Sequence, residues 1–128
     1  MRKLMLVLGL VMMLVPLFTA ATALAAQGRL IQCKTVPCYG GSGDDKLLER
    51  IGNGKRDRIV PRGGDDLVSA RKYTNDIDMV RGGGGSDKIN VADGDTLDTA
   101  NGGKGRDFCI VDSKREVGPS CFDFEVRR

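Results

Sequence analysis

The chain of 128 residues has no histidine and no tryptophan, and only two tyrosines and four phenylalanines. Without histidine, most designs for acid–base catalysis are closed to it. Zinc is disfavoured by the same absence and by the lack of a Cys-x-x-Cys pair, because structural zinc sites draw on imidazole and paired thiolates. So few aromatics do not suggest a large globular core. Glycine runs are present, but none continues into Gly-Lys-Ser or Gly-Lys-Thr, so they are not phosphate loops. No aspartate-rich loop combines the central glycine and terminal glutamate of an EF-hand. Neither sign of charge dominates: 20 Lys and Arg oppose 17 Asp and Glu, a net +3.

Part of that excess sits at the amino end. Arg2 and Lys3 precede an apolar run from Leu4 to Phe18, and Ala23-Leu24-Ala25 supplies small residues of the kind a signal peptidase cleaves after. Together these predict a secretory signal over residues 1–25 and one exported domain over residues 26–128. The run is short and Pro16 interrupts it, which argues against a retained membrane anchor, and no cysteine marks a lipid attachment site. Without Arg2 and Lys3, 18 basic residues face 17 acidic ones, a balance that gives no argument for a nucleic-acid partner. The mature chain is expected to be a monomer, long enough for one domain with a modest core. Its four cysteines, Cys33, Cys38, Cys109 and Cys121, read as two disulfides in an exported protein. Of three possible pairings, Cys33 with Cys38 and Cys109 with Cys121 is favoured, because each pair brackets one end of the repeat array.

That array is the main positive feature. Four glycine-rich turns run into an aspartate: Gly40-Gly41-Ser42-Gly43-Asp44-Asp45, Arg62-Gly63-Gly64-Asp65-Asp66, Gly82-Gly83-Gly84-Gly85-Ser86-Asp87 and Gly102-Gly103-Lys104-Gly105-Arg106-Asp107. The last aspartates are 21, 21 and 20 residues apart, and such a period points to a stacked solenoid. A second row, Asp57, Asp78 and Asp98, lies between them with spacings of 21 and 20. Two places after each aspartate stands Leu47, Ile59, Val68, Val80, Ile89, Ala100 or Cys109, the start of a strand whose alternate side chains point inward. Two strands per coil make a flattened roll with a thin aliphatic interior. Glycine serves the sharp reversals, because it reaches positive φ at little cost.

Laid out this way, the chain resembles the repeats-in-toxin (RTX) family of calcium-binding nonapeptides, with the pattern G-G-x-G-x-D-x-U-x in which U is a large aliphatic residue. Gly40 to Leu48 and Gly82 to Asn90 match every fixed position, and Gly102 to Ile110 matches all but the aliphatic one, held by Cys109. Pro61 to Ser69 keeps Gly64, Asp66 and Val68, with a register one residue earlier, on Asp65, left open; Gly52 to Val60 keeps Gly52, Asp57 and Ile59. The resemblance covers roughly residues 40 to 110 and extends to small stand-alone exported bacterial proteins with cysteine-containing ends. It implies an all-β parallel roll that folds on binding calcium between turns of successive coils.

The residues support such chemistry. Coils of a parallel roll stack about 4.7 to 4.9 Å apart, roughly twice a calcium–oxygen distance, so one ion can touch two stacked turns. Hard oxygen donors without sulfur or imidazole select calcium over zinc or copper. The expected site is the regular row: Gly40, Gly41, Gly43, Asp45, Gly63, Gly64, Asp66, Gly82, Gly83, Gly85, Asp87, Gly102, Gly103, Gly105 and Asp107, holding about three ions. Asp57, Asp78 and Asp98 are further candidate ligands, which Asp76, Asp93 and Asp95 supplement or merely solvate. Arg50, Lys55, Arg56, Arg58, Arg71 and Lys72 cluster on the long half-coils, as a solvated face that balances the aspartates or as a contact for an acidic cell-wall polysaccharide. No enzyme is expected, since identically placed aspartates do not provide the unlike carboxylates that glycoside hydrolysis needs. The function read from the sequence is calcium binding in a structural or surface role.

Overall fold

The computed structural model describes residues 28–127, so the predicted signal segment 1–25 lies outside the described residues. The strands, in chain order, are β1 (Leu30–Cys33), β2 (Cys38–Tyr39), β3 (Lys46–Glu49), β4 (Arg56–Val60), β5 (Arg62–Gly63), β6 (Leu67–Ser69), β7 (Ile77–Gly84), β8 (Lys88–Asn90), β9 (Thr99–Lys104), β10 (Phe108–Val111) and β11 (Asp123–Val126). One turn of 3-10 helix, Lys114–Glu116, is capped by Ser113. Among the described residues, no helix is long and apolar enough to cross a membrane.

All strand pairings are parallel, as the repeat requires. The first sheet has the order β1-β3-β6-β8-β10-β11. The second has β2-β4-β7, with β9 on the far side of β7. The register steps by the sequence period: Leu47 pairs with Val68, Val68 with Ile89 and Ile89 with Cys109, while Ile59 pairs with Val80 and Val80 with Ala100. These seven inward positions are at most 1 % exposed and form the core between the sheets. Burying a side chain of the Val, Leu or Ile class contributes about 1.5–3 kcal/mol. The fold is thus a parallel β-solenoid, as the period implied.

The ends also match expectation. Cys33 is bonded to Cys38 in the first coil and Cys109 to Cys121 in the last. One feature exceeds the two-strand coil. The glycine-rich segments stack as a short third ladder, with Arg62, Gly83 and Gly103 in one column and Gly63, Gly84 and Lys104 in the next. Because these segments carry few side chains, the backbone can round the corner through positive φ, as at Gly64, Gly83 and Gly103, and keeps its hydrogen bonds from coil to coil, as from Gly64 N–H to the Gly84 carbonyl.

Candidate metal centre

The regular row comes first in the chain. Asp45, Asp66, Asp87 and Asp107 each stand immediately before a strand of the first sheet, pointing inward, and are at most 2 % exposed. Asp66 and not Asp65 takes the buried place, which settles the register of the second turn. Each carboxylate is spent largely on the coil before it. Asp45 N–H donates to Asp66 Oδ1 (2.7 Å), Asp66 N–H to Asp87 Oδ1 (2.9 Å) and Asp87 N–H to Asp107 Oδ1 (2.8 Å). At the amino end, Arg29 N–H donates to Asp45 Oδ1 at 2.8 Å and Gly41 N–H to Asp45 Oδ2 at 2.6 Å. Oδ2 of Asp66, Asp87 and Asp107 is buried without a partner.

The predicted glycines serve this ladder sterically. A Cβ on Gly82 or Gly102 would collide with the carboxyl of Asp87 or Asp107, and one on Gly40 would crowd that of Asp45. Gly83 and Gly85 adopt φ of +110° and +124°, where side chains are strained. Gly41, Gly43, Gly63, Gly64, Gly103 and Gly105 share the stacked corner, and a Cβ on Gly64, Gly103 or Gly105 would strike backbone of the neighbouring coil.

Electrostatics separates the row's members. Burial pushes the carboxyls of Asp66 and Asp87 up to about 6, against the backbone hydrogen bonds they accept. At Asp45 burial acts in the same direction, but the N–H groups of Gly41 and Arg29 and the Arg29 guanidinium outweigh it and hold the carboxyl below its ordinary value.

The second row is built differently. Asp57, Asp78 and Asp98 lie on β4, on β7 and just before β9, all buried, with Glu116 in the fourth place. Asp78 N–H donates to Asp98 Oδ1 at 2.8 Å and Asp98 N–H to Glu116 Oε1 at 3.4 Å, so the ladder holds at this end. It breaks at Asp78, where both carboxylate oxygens lack a partner. There Glu49 from the end of β3, Asp76 just before β7 and Asp78 come together, each offering an oxygen within 4.8 Å of the others. All three are at most 3 % exposed. Glu49 Oε1 and both oxygens of Asp76 and of Asp78 are unpaired, while Glu49 Oε2 accepts from Lys72 N–H at 3.2 Å.

Among the described residues no lysine or arginine forms an ion pair with this group; the ion pairs are Arg29 with Asp45 and Arg127 with Glu125. Burial, reinforced by mutual repulsion, pushes Asp78 up to about 9 and Glu49 up to about 7, and raises Asp76. A second group follows one coil on: Asp93, Asp95 and Asp98 also bring carboxylate oxygens within 4.8 Å of one another. Asp95 Oδ1 accepts from Leu97 N–H and Oδ2 from Asn75 N–H, both at 2.7 Å, while Oδ2 of Asp93 and of Asp98 is buried and unpaired. Burial again dominates the upward shift at Asp98, to about 8.

Both groups suit a hard cation. Oxygens bound to one calcium at about 2.3–2.6 Å lie within roughly 5 Å of each other, and carboxylates without sulfur or imidazole favour calcium or magnesium over zinc. Glu49 also lines an open surface depression with Leu48, Arg50, Ser69, Arg71 and Lys72, which gives the first group an edge toward solvent. Among the described residues, the carboxylates that meet in threes lie on the second row, and the regular-row aspartates do not form such a group. Comparison of the chain with family profiles, curated proteins and solved structures returns no match. The site therefore stands on its own geometry.

Of the second-row candidates read from the sequence, Asp78 and Asp98 lie in these groups and Asp57 in neither; Asp76, Asp93 and Asp95, expected to supplement or merely solvate the row, lie in them too, and Glu49 was not named. The signal was in the parity of β3. Asp45, Leu47 and Glu49 all face inward, and Glu49 occupies a place that Ala70, Val91 and Val111 fill in later coils. An acidic residue in an otherwise aliphatic column needs a partner.

Proposed function

We propose that this chain is a calcium-binding β-solenoid whose principal ion is held by Glu49, Asp76 and Asp78, with Asp93, Asp95 and Asp98 holding a second. The observation that carries the reading is the set of five unpaired oxygens on three buried acids with no ion pair to a lysine or arginine among the described residues. Leaving a buried charge uncompensated costs several kcal/mol, which protonation or a bound cation removes. Calcium fits better than magnesium, because it accepts six to eight oxygens in flexible geometry and sheds water more readily. The RTX-like turns agree with this chemistry, and the unpaired Oδ2 atoms of Asp66, Asp87 and Asp107 leave the regular row with donors for further ions. In this reading the protein is exported, as its disulfides favour, and its role is structural and non-enzymatic, with calcium completing the fold.

Calorimetric calcium titration of the chelator-treated full chain tests the proposal. We expect binding in the extracellular range, on the order of 10⁻⁴–10⁻³ M, and a raised melting temperature, since an ion bound only by the folded state stabilises it. Asp78→Asn should abolish the principal site and Asp93→Asn should remove one ion while sparing it. Identical melting with and without calcium, together with no heat of binding, would overturn the reading.

A further inference from the structure

The net charge of this chain conceals how its charges are distributed. Ten of its 17 acidic residues are buried. Arg2, Lys3 and Arg128 lie outside the described residues, and the other seventeen of the 20 Lys and Arg are all exposed. Most of the acids thus line the inside of the roll, while the bases cover its outside together with a few exposed acids such as Asp44, Asp65, Asp123 and Glu125. Only two of those seventeen, Arg29 and Arg127, pair with a carboxylate among the described residues.

The segregation is most complete on the second sheet. Its inward positions carry Asp57 and Asp78, and its outward positions carry Arg56 and Arg58 on β4, the half-buried Ile77 and Met79 and the exposed Arg81 on β7, and Thr99 and Asn101 on β9, with no acidic residue. Arg58 lies opposite Met79 in the parallel register, and Arg81 is two residues further on. With strands about 4.8 Å apart and a rise of about 3.3 Å per residue, the Cα atoms of Arg58 and Arg81 are about 8 Å apart, and those of Arg56 and Arg58 about 7 Å. Three guanidinium groups thus stand on one face of the sheet beside hydroxyl and amide side chains, with the half-buried Ile77 and Met79 between them. This face remains cationic whether protons or metal ions neutralise the acids beneath it.

We infer that this outward face of the second sheet binds an acidic polysaccharide, with Arg56, Arg58 and Arg81 pairing its sulfates or carboxylates and Thr99 and Asn101 its hydroxyls. Guanidinium groups pair oxyanions through planar, bidentate hydrogen bonds, and a rigid sheet presents them at fixed spacing. A polysaccharide is favoured over single-stranded nucleic acid because the face offers no free stacking platform: Arg62, 4.7 Å from the ring centroid of Tyr39, already covers the aromatic at its edge. A lipid surface is disfavoured because the large exposed apolar residues are dispersed over the roll, with Leu30 and Phe124 on strands of the first sheet and Tyr39 and Leu97 on or just before strands of the second.

The test measures affinity of the full chain for heparin and for polygalacturonate at about 0.15 M ionic strength, where nonspecific attraction is largely screened. The triple variant Arg56→Gln, Arg58→Gln, Arg81→Gln is compared with an equally discharged control, Lys34→Gln, Lys114→Gln, Arg115→Gln. We expect the face variant to lose about tenfold in affinity for at least one polysaccharide and the control less than about threefold, as a few exposed ion pairs allow. Circular dichroism checks folding, and Arg58→Gln and Arg81→Gln singly replace the triple variant if it unfolds. Equal losses in variant and control would overturn the proposal by showing attraction to net charge alone. So would absence of binding to either polymer, or tighter binding to DNA or to vesicles containing phosphatidylserine.

Discussion

A buried carboxylate can pair with a cation, accept hydrogen bonds, take up a proton or bind a metal ion, and the aspartates here divide among these options by position. Asp45 gathers two backbone N–H groups and stays below its ordinary pKa, while Asp66 and Asp87 keep one oxygen unpaired and rise to about 6. The sign of their effect on stability follows. A carboxyl that titrates near 3.8 when unfolded and near 6 when folded holds more protons in the folded state between those values. Its stabilisation is complete below the unfolded value and is lost as pH rises through the folded one. In chelator, stability from urea unfolding should fall between pH 4 and pH 7, on the order of 2–3 kcal/mol for each group. Asp66→Asn and Asp87→Asn should flatten that slope, and stability that rose with pH over this range would contradict the assignment. A second residue-scale effect is purely steric: Gly85→Ala forces a side chain to φ +124° and into the Gly64 carbonyl, a strain of about 1–3 kcal/mol measurable in the same unfolding experiment.

At the scale of elements, what was legible in the sequence followed side-chain alternation. Every strand of the first sheet from β3 to β10 begins directly after a regular-row aspartate, because Asp-x-aliphatic fixes which residues face inward. The corner ladder of β5 and the ends of β7 and β9 was not legible, since glycine has no side chain whose alternation reports a strand. The clustering of the acids was half legible. Asp78 and Asp98 stood in phase, but their companions depend on how the irregular half-coils fold, where Asn75 takes φ +70° and Gly94 +107°. Glu49 arrives from the opposite sheet, a juxtaposition that spacing alone does not reveal. The disulfides were readable from their placement at the ends, and their energetic part can be predicted. Cys109→Ala with Cys121→Ala opens a loop of separation 12, worth roughly 3 kcal/mol of chain entropy. Hydrogen exchange should then show β11 losing protection before β6 or β8, and uniform loss would show that this bridge does not act as a terminal clamp.

For the whole molecule, the consequence of stacking is that each coil touches only its neighbours, so stability is a sum of local and nearest-neighbour contributions. The two acidic groups occupy particular places in that stack. Glu49 with Asp76 and Asp78 ties β3 to β7 across the roll, and Asn75 N–H and Asp78 N–H, donating to Asp95 and Asp98, connect this coil to the next. A calcium ion at the first group would therefore act chiefly on the coils holding β3, β4 and β7, and reach the second group through these two main-chain hydrogen bonds. At the far end, β11 pairs with β10 alone and contributes no residue to either group. Hydrogen exchange in calcium and in chelator, at pH 7, should accordingly show the largest gain in protection at the amides of Ile77 to Val80 and the smallest at Asp123 to Val126. Asp78→Asn should erase the gain at the first segment while leaving the slow amides of β8 close to their chelator values. A gain equal across all strands would mean that the ion acts on the roll as one cooperative unit, and the localised action argued from these contacts would have to be given up.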